Sequence, residues 1–415
     1  MRSETSLSEA CSLIVDCPHK TAPEADMAHA YAVGTKAIAD GRIEFIRARP
    51  VDAPTYATWT ERAAPQAGDI ILCREAPVGP VALVPDAPPV CLGQRTVLLR
   101  PDPKIADGRF LLYALLTPET QSVLRTLAEG STVPHLNVDA IRRFNISLPN
   151  LDEQKAVAAI LRALDDKIDS NRQLARLLEE AAATLFRARF VDFVGVEEFD
   201  ESEIGRVPRG WRPGVLSEIA AVHRHLVNGA NDLPYIGLDA MPRGSTVLAE
   251  WVTDNAPRGQ AATFDAGDIL FGKLRPYFHK VGVAPVSGRC STEILVLRPA
   301  RPEFHGVVLG HVASKAFIDH CVSVSRGTRM PRAEWRDAAE FKIAIPPTAE
   351  AADLTSLART MYAQIRMLTL ESRTLAGIRD AILPKLVSGH IRVPDIADPA
   401  ELIEPAAEAL EAAAP

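Results

Sequence analysis

The stretch SLPNLDEQKAVAAILRALDDKID, Ser147–Asp169, begins a long amphipathic helix in the middle of a chain of 415 residues. Apolar residues recur there at steps of three, four and seven with charged residues between them, which is typical of a coiled coil. The stripe comprises Val157, Leu161, Leu164, Ile168, Ala175, Leu178, Ala182 and Leu185. A helix of about 35–40 residues would be about 55–60 Å long. Because its apolar stripe is narrow, it needs a partner.

The partner is provided by a second helix of the same kind, near the other end of the chain. Its apolar stripe comprises Leu354, Leu357, Met361, Ile365, Leu368, Leu375, Ile378 and Ile382. We expect this helix to stop at Pro384, because proline is disfavoured inside a helix. We expect the two helices to pair through Leu161, Leu164, Ile168, Asn171, Leu178, Leu357, Met361, Leu368, Leu375 and Ile378.

The sequence before each helix is also duplicated. PQAGDIILCRE at Pro65–Glu75 returns as FDAGDILFGKL at Phe264–Leu274. GSTVPHLNVDAIRRFNISLPNLDEQ at 130–154 returns as GTRMPRAEWRDAAEFKIAIPPTAEA at 327–351. Two similar segments in the same order, 199 and 197 residues apart, indicate an internal repeat. One difference is that Gln154 in the first copy has no equivalent at Ala351 in the second.

These patterns predict an α+β fold built by tandem duplication. Each copy is a mixed, β-rich globular domain followed by a long helix, and the two helices pair as an antiparallel coiled-coil spacer. Short runs rich in branched residues, such as GDIILCRE, predict strands, while residues 109–130 form a more helical insert. The predicted parts are a first globular domain at 1–150, helices at 151–193 and 348–393, a second globular domain at 194–347 and an acidic, disordered tail at 394–415.

Composition is typical of a soluble globular protein, with 47% hydrophobic and 24% charged residues. The net charge of −7 argues at first against a nucleic-acid partner, but the tail after Pro394 carries six acidic and no basic residues. The remaining chain is therefore nearly neutral and can present local basic patches. Scattered cysteines, no signal peptide and no apolar run of about 18 residues predict a soluble cytoplasmic protein without a membrane partner.

Motifs for catalysis are largely missing from the sequence. There is no phosphate-binding loop, no glycine-rich dinucleotide fingerprint and no N-P-P-[YF]-like tetrapeptide of base methyltransferases. Asp139, Glu153 and Lys155 faintly resemble a nuclease set, but acids in the first turn of a helix are better explained by the helix dipole. His223 and His225 have no companion ligands. We therefore predict no catalytic residues and no metal site in this chain.

Basic and polar residues recur in matching loops of the two copies. Lysine and arginine can hold phosphates, and arginine can also read guanine edges. In the second copy the candidates are Lys273, Arg275, Tyr277, Lys280, Arg326, Arg329, Arg332 and Arg336. In the first copy they are Arg74, Gln94, Arg95, Ser131, Thr132, His135 and Asn137. For any single residue an ordinary solvated loop position is an equal alternative, so the recurrence in both copies is the stronger argument.

Taken together, these segments resemble the DNA-specificity subunits of type I restriction-modification systems. The resemblance extends to about Val393. SLPNLDEQKAVAAILRALDDKIDSNRQL with LFRARFVDF is similar to the family's central conserved region, and ILPKLVSGHIRV to its distal one. AGDILFGKLRPYFHKV, CSTEILVLRP and IVDCPHKTA resemble a common type of target recognition domain.

The resemblance implies that each globular half is a target recognition domain reading one half of a bipartite, asymmetric site in double-stranded DNA. The paired helices would set the spacer between the half-sites and dock modification subunits, of which two copies are expected. Because Gln154 has no equivalent at Ala351, the two docking surfaces are expected to differ. Catalysis would reside in partners, a modification subunit using S-adenosylmethionine and an ATP- and Mg-dependent restriction subunit, with no cofactor bound by this chain. The implied DNA contacts are Arg74, Gln94, Arg95, Ser131, Thr132, His135, Lys273, Arg275, Tyr277, Lys280, Arg326 and Arg329.

Two other classes of function stay open at this point. A helical adaptor without a nucleic-acid role would show no salt-dependent affinity for DNA. A self-contained methyltransferase or nuclease would require a cofactor or metal site, and binding of labelled cofactor by the isolated chain would reveal it.

Overall fold

The computed structural model describes residues 2–130, 133–228, 233–253 and 256–393. It divides into two compact units. Unit 1 consists of Met1–Asp165 and the segment that begins at Ala376, and unit 2 consists of Asp166–Leu375. The boundary falls inside both long helices, so each unit is described by itself. The predicted acidic tail, residues 394–415, lies outside the described residues.

Unit 1 contains the first globular part of the chain. Its strands are β1 (Ser3–Ser6), β2 (Cys11–Asp16), β3 (Ala30–Val33), β4 (Ile38–Ala39), β5 (Arg42–Ile43), β6 (Arg49–Val51), β7 (Ile70–Arg74), β8 (Val78–Leu83), β9 (Val90–Leu92), β10 (Thr96–Pro101) and β11 (Asn145–Leu148). Its short helices are α1 (Leu7–Ala10), α2 (Ala53–Trp59), α3 (Gly108–Leu116), α4 (Pro118–Thr126) and α5 (Val138–Arg142). The first long helix, α6, comprises Leu151–Phe190.

Unit 2 contains the second globular part. Its strands are β12 (Phe199–Ser202), β13 (Gly205–Pro208), β14 (Arg212–Val215), β15 (Ala220–His223), β16 (Leu226–Val227), β17 (Tyr235–Ile236), β18 (Ala261–Phe264), β19 (Ile269–Gly272), β20 (Val281–Val283), β21 (Gly288–Ser291), β22 (Ile294–Pro299) and β23 (Lys342–Ile345). Its helices are α7 (His305–Val312), α8 (Lys315–Val324), α9 (Trp335–Ala338) and the second long helix, α10 (Thr348–Ser388).

The sheets have the same topology in both units, which confirms the predicted tandem duplication. The antiparallel order β2–β10–β7–β8 of unit 1 is repeated as β15–β22–β19–β20 in unit 2. The parallel pair β3–β9 is repeated as β17–β21, and the antiparallel pair β1–β11 as β14–β23. Side chains of the four-stranded sheets, such as Ile71 and Leu98 in one unit and Ile269 and Leu297 in the other, are completely buried.

The same buried ion pair holds each four-stranded sheet at its turn. Asp69 is 3% exposed and accepts hydrogen bonds from Arg100 at 2.8–3.3 Å. Asp268 is 9% exposed and accepts from Arg298 at 2.7 and 2.8 Å. Each carboxylate also accepts a backbone N–H three residues upstream, at 2.8 and 2.7 Å. The duplicated Gly-Asp motif is therefore a structural turn.

The helical insert predicted at 109–130 is present as α3 and α4, but its counterpart in unit 2, α7 and α8, was not predicted. The reason lies in the apolar pattern of α7, which is hydrophobic around most of its circumference. Val307, Val308 and Val312 are all completely buried. A helix that is buried on nearly every side lacks the amphipathic period by which a surface helix is recognised.

The two long helices run antiparallel within each unit. In unit 2, Asn171 donates to Glu371 at 2.9 Å, and Ala175 clusters with Ile365 and Leu368, so rising numbers on α6 meet falling numbers on α10. In unit 1, both long helices contribute buried apolar residues, Leu161 and Leu164 from α6 and Ile378 from α10. The Arg379 guanidinium donates to Asp165 at 2.8 Å.

Two details of α10 differ from the prediction. The helix does not stop at Pro384 but continues to Ser388. Proline removes only one backbone donor, and here the last turn is stabilised by Leu383 and Leu386, which are 7% and 0% exposed. Leu357 is 42% exposed and so is not part of the buried stripe. At this end of the helix the buried positions are Leu354 and Ala358.

Gln154 is buried, and the expected difference between the two docking surfaces stays a prediction. It is 1% exposed, its Oε1 accepts from the N–H of Asp107 at 2.8 Å, and its Nε2 donates to the carbonyl of Ile105 at 3.0 Å. In unit 2 the equivalent hydrogen bonds are made by Thr355, which accepts from the Gly306 N–H and donates to the carbonyl of Glu303. The hydrogen-bonding residue thus lies one helical turn further along in the second copy.

All six cysteines are free and buried. Burial raises the pKa of each thiol, to about 12 for Cys11, Cys73, Cys91, Cys290 and Cys321. The pKa of the Cys17 thiol is raised by burial as well. Within the described ranges, no single helix is long and apolar enough to cross a membrane, and only the bent pair Pro302–Val312 and Lys315–Val324 passes that test jointly.

A close approach of α7 to α6 in unit 2 depends on Gly310. A Cβ at this position would lie 2.1–2.5 Å from the ring of Phe186, which is 5% exposed. We expect Gly310→Ala to lower the free energy of unfolding of unit 2 by about 1–3 kcal/mol, because overpacking forces neighbours from their positions. Urea unfolding would measure it. Gly259→Ala is the matched control, since nothing lies within 4 Å of a Cβ there; equal effects of both variants would contradict the prediction.

Candidate nucleic-acid interface

In each unit, the end of one central strand lies next to a loop that follows a helix. The strand and helix are β7 and α4 in unit 1, and β19 and α8 in unit 2. In unit 1 the N–H of Leu136 donates to the carbonyl of Arg74 at 2.8 Å. In unit 2 the N–H of Ala333 donates to the carbonyl of Lys273 at 3.0 Å. These two backbone contacts are equivalent in the repeat. The predicted candidates at the strand end and in the loop are therefore neighbours in both units.

The loops themselves are closed in the same way. Glu129 and His135 exchange two backbone hydrogen bonds at 2.9 Å, as do Arg326 and Arg332 at 3.0 Å. Gly130 and Gly327 both have φ of +99°, a region that residues with a Cβ rarely adopt. The hydrogen bonds that close the loop are thus a property of the repeat, while the sequences between them differ in the two copies.

In unit 1, Arg74 is turned inward and its side chain is 15% exposed. It lies 3.6 Å from Asp16 and donates to the carbonyl of Leu136 at 3.3 Å. These contacts hold the Arg74 side chain against its own unit, and its role as a DNA contact stays a prediction. The sequence could not reveal this, because Asp16 is distant along the chain.

The other candidates of unit 1 lie nearer to the surface. Arg95 is 48% exposed, has a φ of +69° and is ion-paired with Glu75 at 3.0 Å. The exposed Gln94 donates to the carbonyl of His19 at 3.4 Å. His135 is half-buried, Asn137 caps α5, and Ser131 and Thr132 lie outside the described residues.

In unit 2, several predicted basic residues are neutralised by acids. Lys273 is 18% exposed and lies 3.7 Å from Glu334. Arg332 makes a two-pronged contact with Glu293 at 2.9 Å, and its hydrogen bonds hold the pKa of Glu293 below its usual range. Arg326 is paired with Asp337 at 2.8 Å, and Arg336 contacts the same carboxylate.

Arg329 differs from these residues. It is exposed at the tip of its loop, and the described part of the chain offers it no ion pair. Of the basic side chains in this loop it therefore has the greatest freedom to meet a phosphate or a base.

A second projecting element of unit 2 is the turn at 275–279. The short 3-10 helix Pro276–Phe278 lies between Arg275 and His279, which both have left-handed backbones with φ of +52° and +50°. Tyr277 is 52% exposed at the apex. The Arg243 guanidinium stacks on the Phe278 ring at 4.0 Å, and Arg275 is 6.0 Å from the same ring. Arg243 was missed in the sequence because it comes from a distant loop.

Lys280 does not project with this turn. Its Nζ donates to the carbonyl of Leu238, and its pKa is lowered by burial and by the nearby Arg243. The Lys280 ammonium is therefore held by its own unit, and its role as a DNA contact stays a prediction. Arg275 is intermediate, since its N–H donates to the carbonyl of Pro331 at 2.7 Å and its Nε is buried without a partner in the described residues.

The predicted pairing residues of the long helices are mostly enclosed. Ile168 and Asn171 are 1% and 2% exposed, and Leu178, Met361 and Leu375 are half-buried. In the described ranges, no three His, Cys, Asp or Glu side chains are grouped so that they could hold a metal ion.

The sequence of the chain is similar to those of known DNA-specificity proteins. Residues 39–180 match the family described as type I restriction modification DNA specificity domain. The type I restriction enzyme MjaIX specificity subunit of Methanocaldococcus jannaschii is 25% identical over 349 residues, covering 79% of each chain. The EcoDI specificity subunit of Escherichia coli is 20% identical over 303 residues, covering 65% of this chain and 66% of that one.

A solved structure has the same fold over nearly the whole length. The S subunit of a type I restriction-modification system from M. genitalium superposes with a TM-score of 0.56, covering 93% of this chain and 96% of that chain at 15% identity. Residues 39–180 thus match a type I restriction modification DNA specificity domain, and over most of its length the chain is similar to specificity subunits of type I restriction enzymes.

Proposed function

We propose that this chain is the sequence-specific DNA-binding subunit of a type I restriction-modification complex. Each globular part, at 1–150 and 194–347, reads one half of a bipartite, asymmetric site. The observation that carries the proposal is the pair of equivalent loop clusters, identical in backbone closure but different in the side chains at the tips. Such an arrangement suits one protein that reads two different short sequences.

The helices at 151–193 and 348–393 set the spacer between the half-sites and dock two modification subunits. Methyl transfer from S-adenosylmethionine belongs to those subunits, and ATP- and Mg-dependent cleavage to a restriction subunit, in the cytoplasm. This chain contributes recognition and binds no cofactor. Two DNA half-sites one helical turn apart lie on one face of the duplex, about 34–36 Å between centres.

The proposal is tested by mapping methylated adenines in cells that express this chain with its modification subunit. A second strain carries residues 200–347 exchanged for those of a relative. We expect a bipartite motif of which only one half changes after the exchange. A stable complex that methylates no motif, and shows no salt-dependent DNA affinity, would instead favour a helical adaptor.

Among the individual contacts, we expect Arg329→Ala to have the clearest effect on DNA affinity. Losing a base contact weakens binding by about 1–3 kcal/mol and relaxes one position of the motif, whereas losing a phosphate contact weakens all sequences alike and lowers the salt slope by about one. Filter binding of the complex at several salt concentrations distinguishes the two. Arg209→Ala is the control, because Arg209 is also exposed but paired with Glu198 at 2.7 Å. An affinity unchanged by Arg329→Ala would remove Arg329 from the interface.

A further inference from the structure

In unit 1, Asp165 of α6 contacts residues from three other elements. The hydroxyl of Tyr113, on α3, donates to Asp165 at 2.6 Å. Arg379, on α10, donates to the other oxygen of the same carboxylate at 2.8 Å. Arg42, on β5, donates to the backbone carbonyl of Asp165 at 3.3 Å and lies 3.7 Å from the carboxylate. The globular part and the second helix therefore meet at one residue of the first helix.

Unit 2 contains a second cluster that is also centred on a carboxylate of α6. Glu179, on α6, accepts from the Thr246 hydroxyl at 2.6 Å and from the Thr246 N–H, while its other oxygen accepts from Ser245 at 2.8 Å. The hydroxyl of Tyr362, on α10, lies 2.6 Å from that of Thr246. Because the Thr246 hydroxyl donates to Glu179, Tyr362 donates to Thr246. Again one loop of the globular part is tied to both long helices.

The two clusters occupy equivalent places in the repeat. Asp165 and Tyr362 are 197 residues apart, the same separation as Pro134 and Pro331 in the duplicated segment. Each lies on the helix that follows its own globular part, and each cluster is completed by a charged residue of the other helix. The position is thus polar in both copies, although the residue type differs.

Both clusters are partly buried. Tyr113 and Thr246 are 2% and 7% exposed, the carboxylate of Asp165 is 17% exposed, and Glu179 and Tyr362 are half-buried. Burial raises the pKa of both Tyr113 and Tyr362, so both hydroxyls remain protonated donors at neutral pH.

The hydrogen bonds of these clusters can fix the register of the helices, which the apolar stripes alone cannot do. Ala175, Ile365 and Leu368 can be packed by a helix that has slipped by one step, since apolar contacts are not directional. A carboxylate that accepts two or three buried hydrogen bonds loses them all on slipping, and unpaired buried polar groups are costly. Polar residues in helix interfaces are known to specify register in this way.

We propose that Asp165 and Glu179 are positioning residues that fix the register of each recognition domain on the paired helices, and thereby the spacing of DNA half-sites that the complex accepts. The proposal rests on the proposed function. It assigns to these residues no contact with DNA.

The test uses the full chain in complex with its modification subunit. Substrates carry the two half-sites separated by the natural spacer, or by one base pair more or less, and the initial methylation rate is measured on each. We expect Glu179→Ala to lower the preference for the natural spacer at least about tenfold, while a substrate with an altered half-site remains unmethylated. Glu179→Gln retains an accepting oxygen for Thr246 and is expected to keep the preference.

Two further variants guard against trivial explanations. Glu180→Ala changes the exposed neighbour on the same helix and should leave the preference intact. Thr246→Val removes the hydroxyl at the centre of the cluster without changing size much, and should reproduce the effect of Glu179→Ala if that variant fails to fold.

The possible results test the proposed function and the positioning role separately. A wild-type complex without any bipartite motif refutes the proposed function itself. A normal wild-type motif, with an unchanged spacer preference in Glu179→Ala and Thr246→Val, refutes the positioning role alone. Equal loss of methylation at every spacer in folded variants would likewise refute it, because it would indicate general structural damage.

Discussion

Asp268→Ala is expected to destabilise unit 2 by about 2–4 kcal/mol, because it removes a buried carboxylate that accepts hydrogen bonds from a charged donor and from the backbone. Asp268 accepts two hydrogen bonds from Arg298 and one from the N–H of Asp265, so the change opens the turn before β19 as well. Urea unfolding followed by tryptophan fluorescence measures the effect. Trp211, Trp251 and Trp335 lie in unit 2, so the signal reports mainly on that unit.

The same arginine provides the control for this prediction. Arg298 also contacts Asp265 at 2.7 Å, but the side chain of Asp265 is 72% exposed. Exposed ion pairs contribute about 0–1 kcal/mol, so Asp265→Ala should cost less than about 1 kcal/mol. Similar losses for the two aspartates would show that burial of Asp268 does not determine its contribution.

His311 is expected to make unit 2 less stable in mild acid. Burial lowers the pKa of His311 to about 4, and the ring contacts Phe186 edge-on at 4.9 Å between centroids. In the unfolded chain histidine titrates near 6.5. Between these values the unfolded state binds a proton that the folded state does not, so stability falls as pH falls from about 6.5 to 4. One group with this shift accounts for about 3 kcal/mol over that range.

The contribution of His311 is isolated by comparing variants. Urea unfolding of His311→Leu at several pH values should show a pH dependence weaker by about 1.4 kcal/mol per pH unit in this window. His305, whose pKa is also lowered by burial, retains its own contribution in that variant. Exposed His225 serves as the control, and His225→Leu should leave the slope unchanged. A wild-type slope in His311→Leu would contradict the assignment.

The architecture was largely accessible from sequence because it is encoded in periodicity and repetition. The apolar stripe with Leu161, Leu164 and Ile168 predicts a buried helix face, and these residues are 0–7% exposed. The repeated Gly68-Asp69 and Gly267-Asp268 motifs correctly indicate a duplication. Such features are local in the chain or recur at a constant separation, so they can be recognised without knowing which residues are in contact.

The exposure and partners of individual loop side chains could not be obtained in this way. Arg74 and Lys280 are basic residues in predicted loops, but a distant aspartate and a distant carbonyl draw them inward. Arg243 stacks on Phe278 from 35 residues away. Asp165 and Glu179 were missed for a related reason, since acidic residues on a long helix are usually solvated. One signal was available in the sequence. Asp165 and Tyr362 are separated by the same 197 residues as the duplicated segments, so they occupy equivalent positions on the two helices.

The burial of all six thiols has a practical consequence for labelling experiments. Thiolate is the reactive form, and the raised pKa values leave little of it at neutral pH. A maleimide dye should therefore react slowly with the folded native chain. Cysteines introduced at exposed positions, one in each globular part, could carry a donor and an acceptor fluorophore without first removing the natural ones. The distance between the two parts could then be followed in solution as DNA is added.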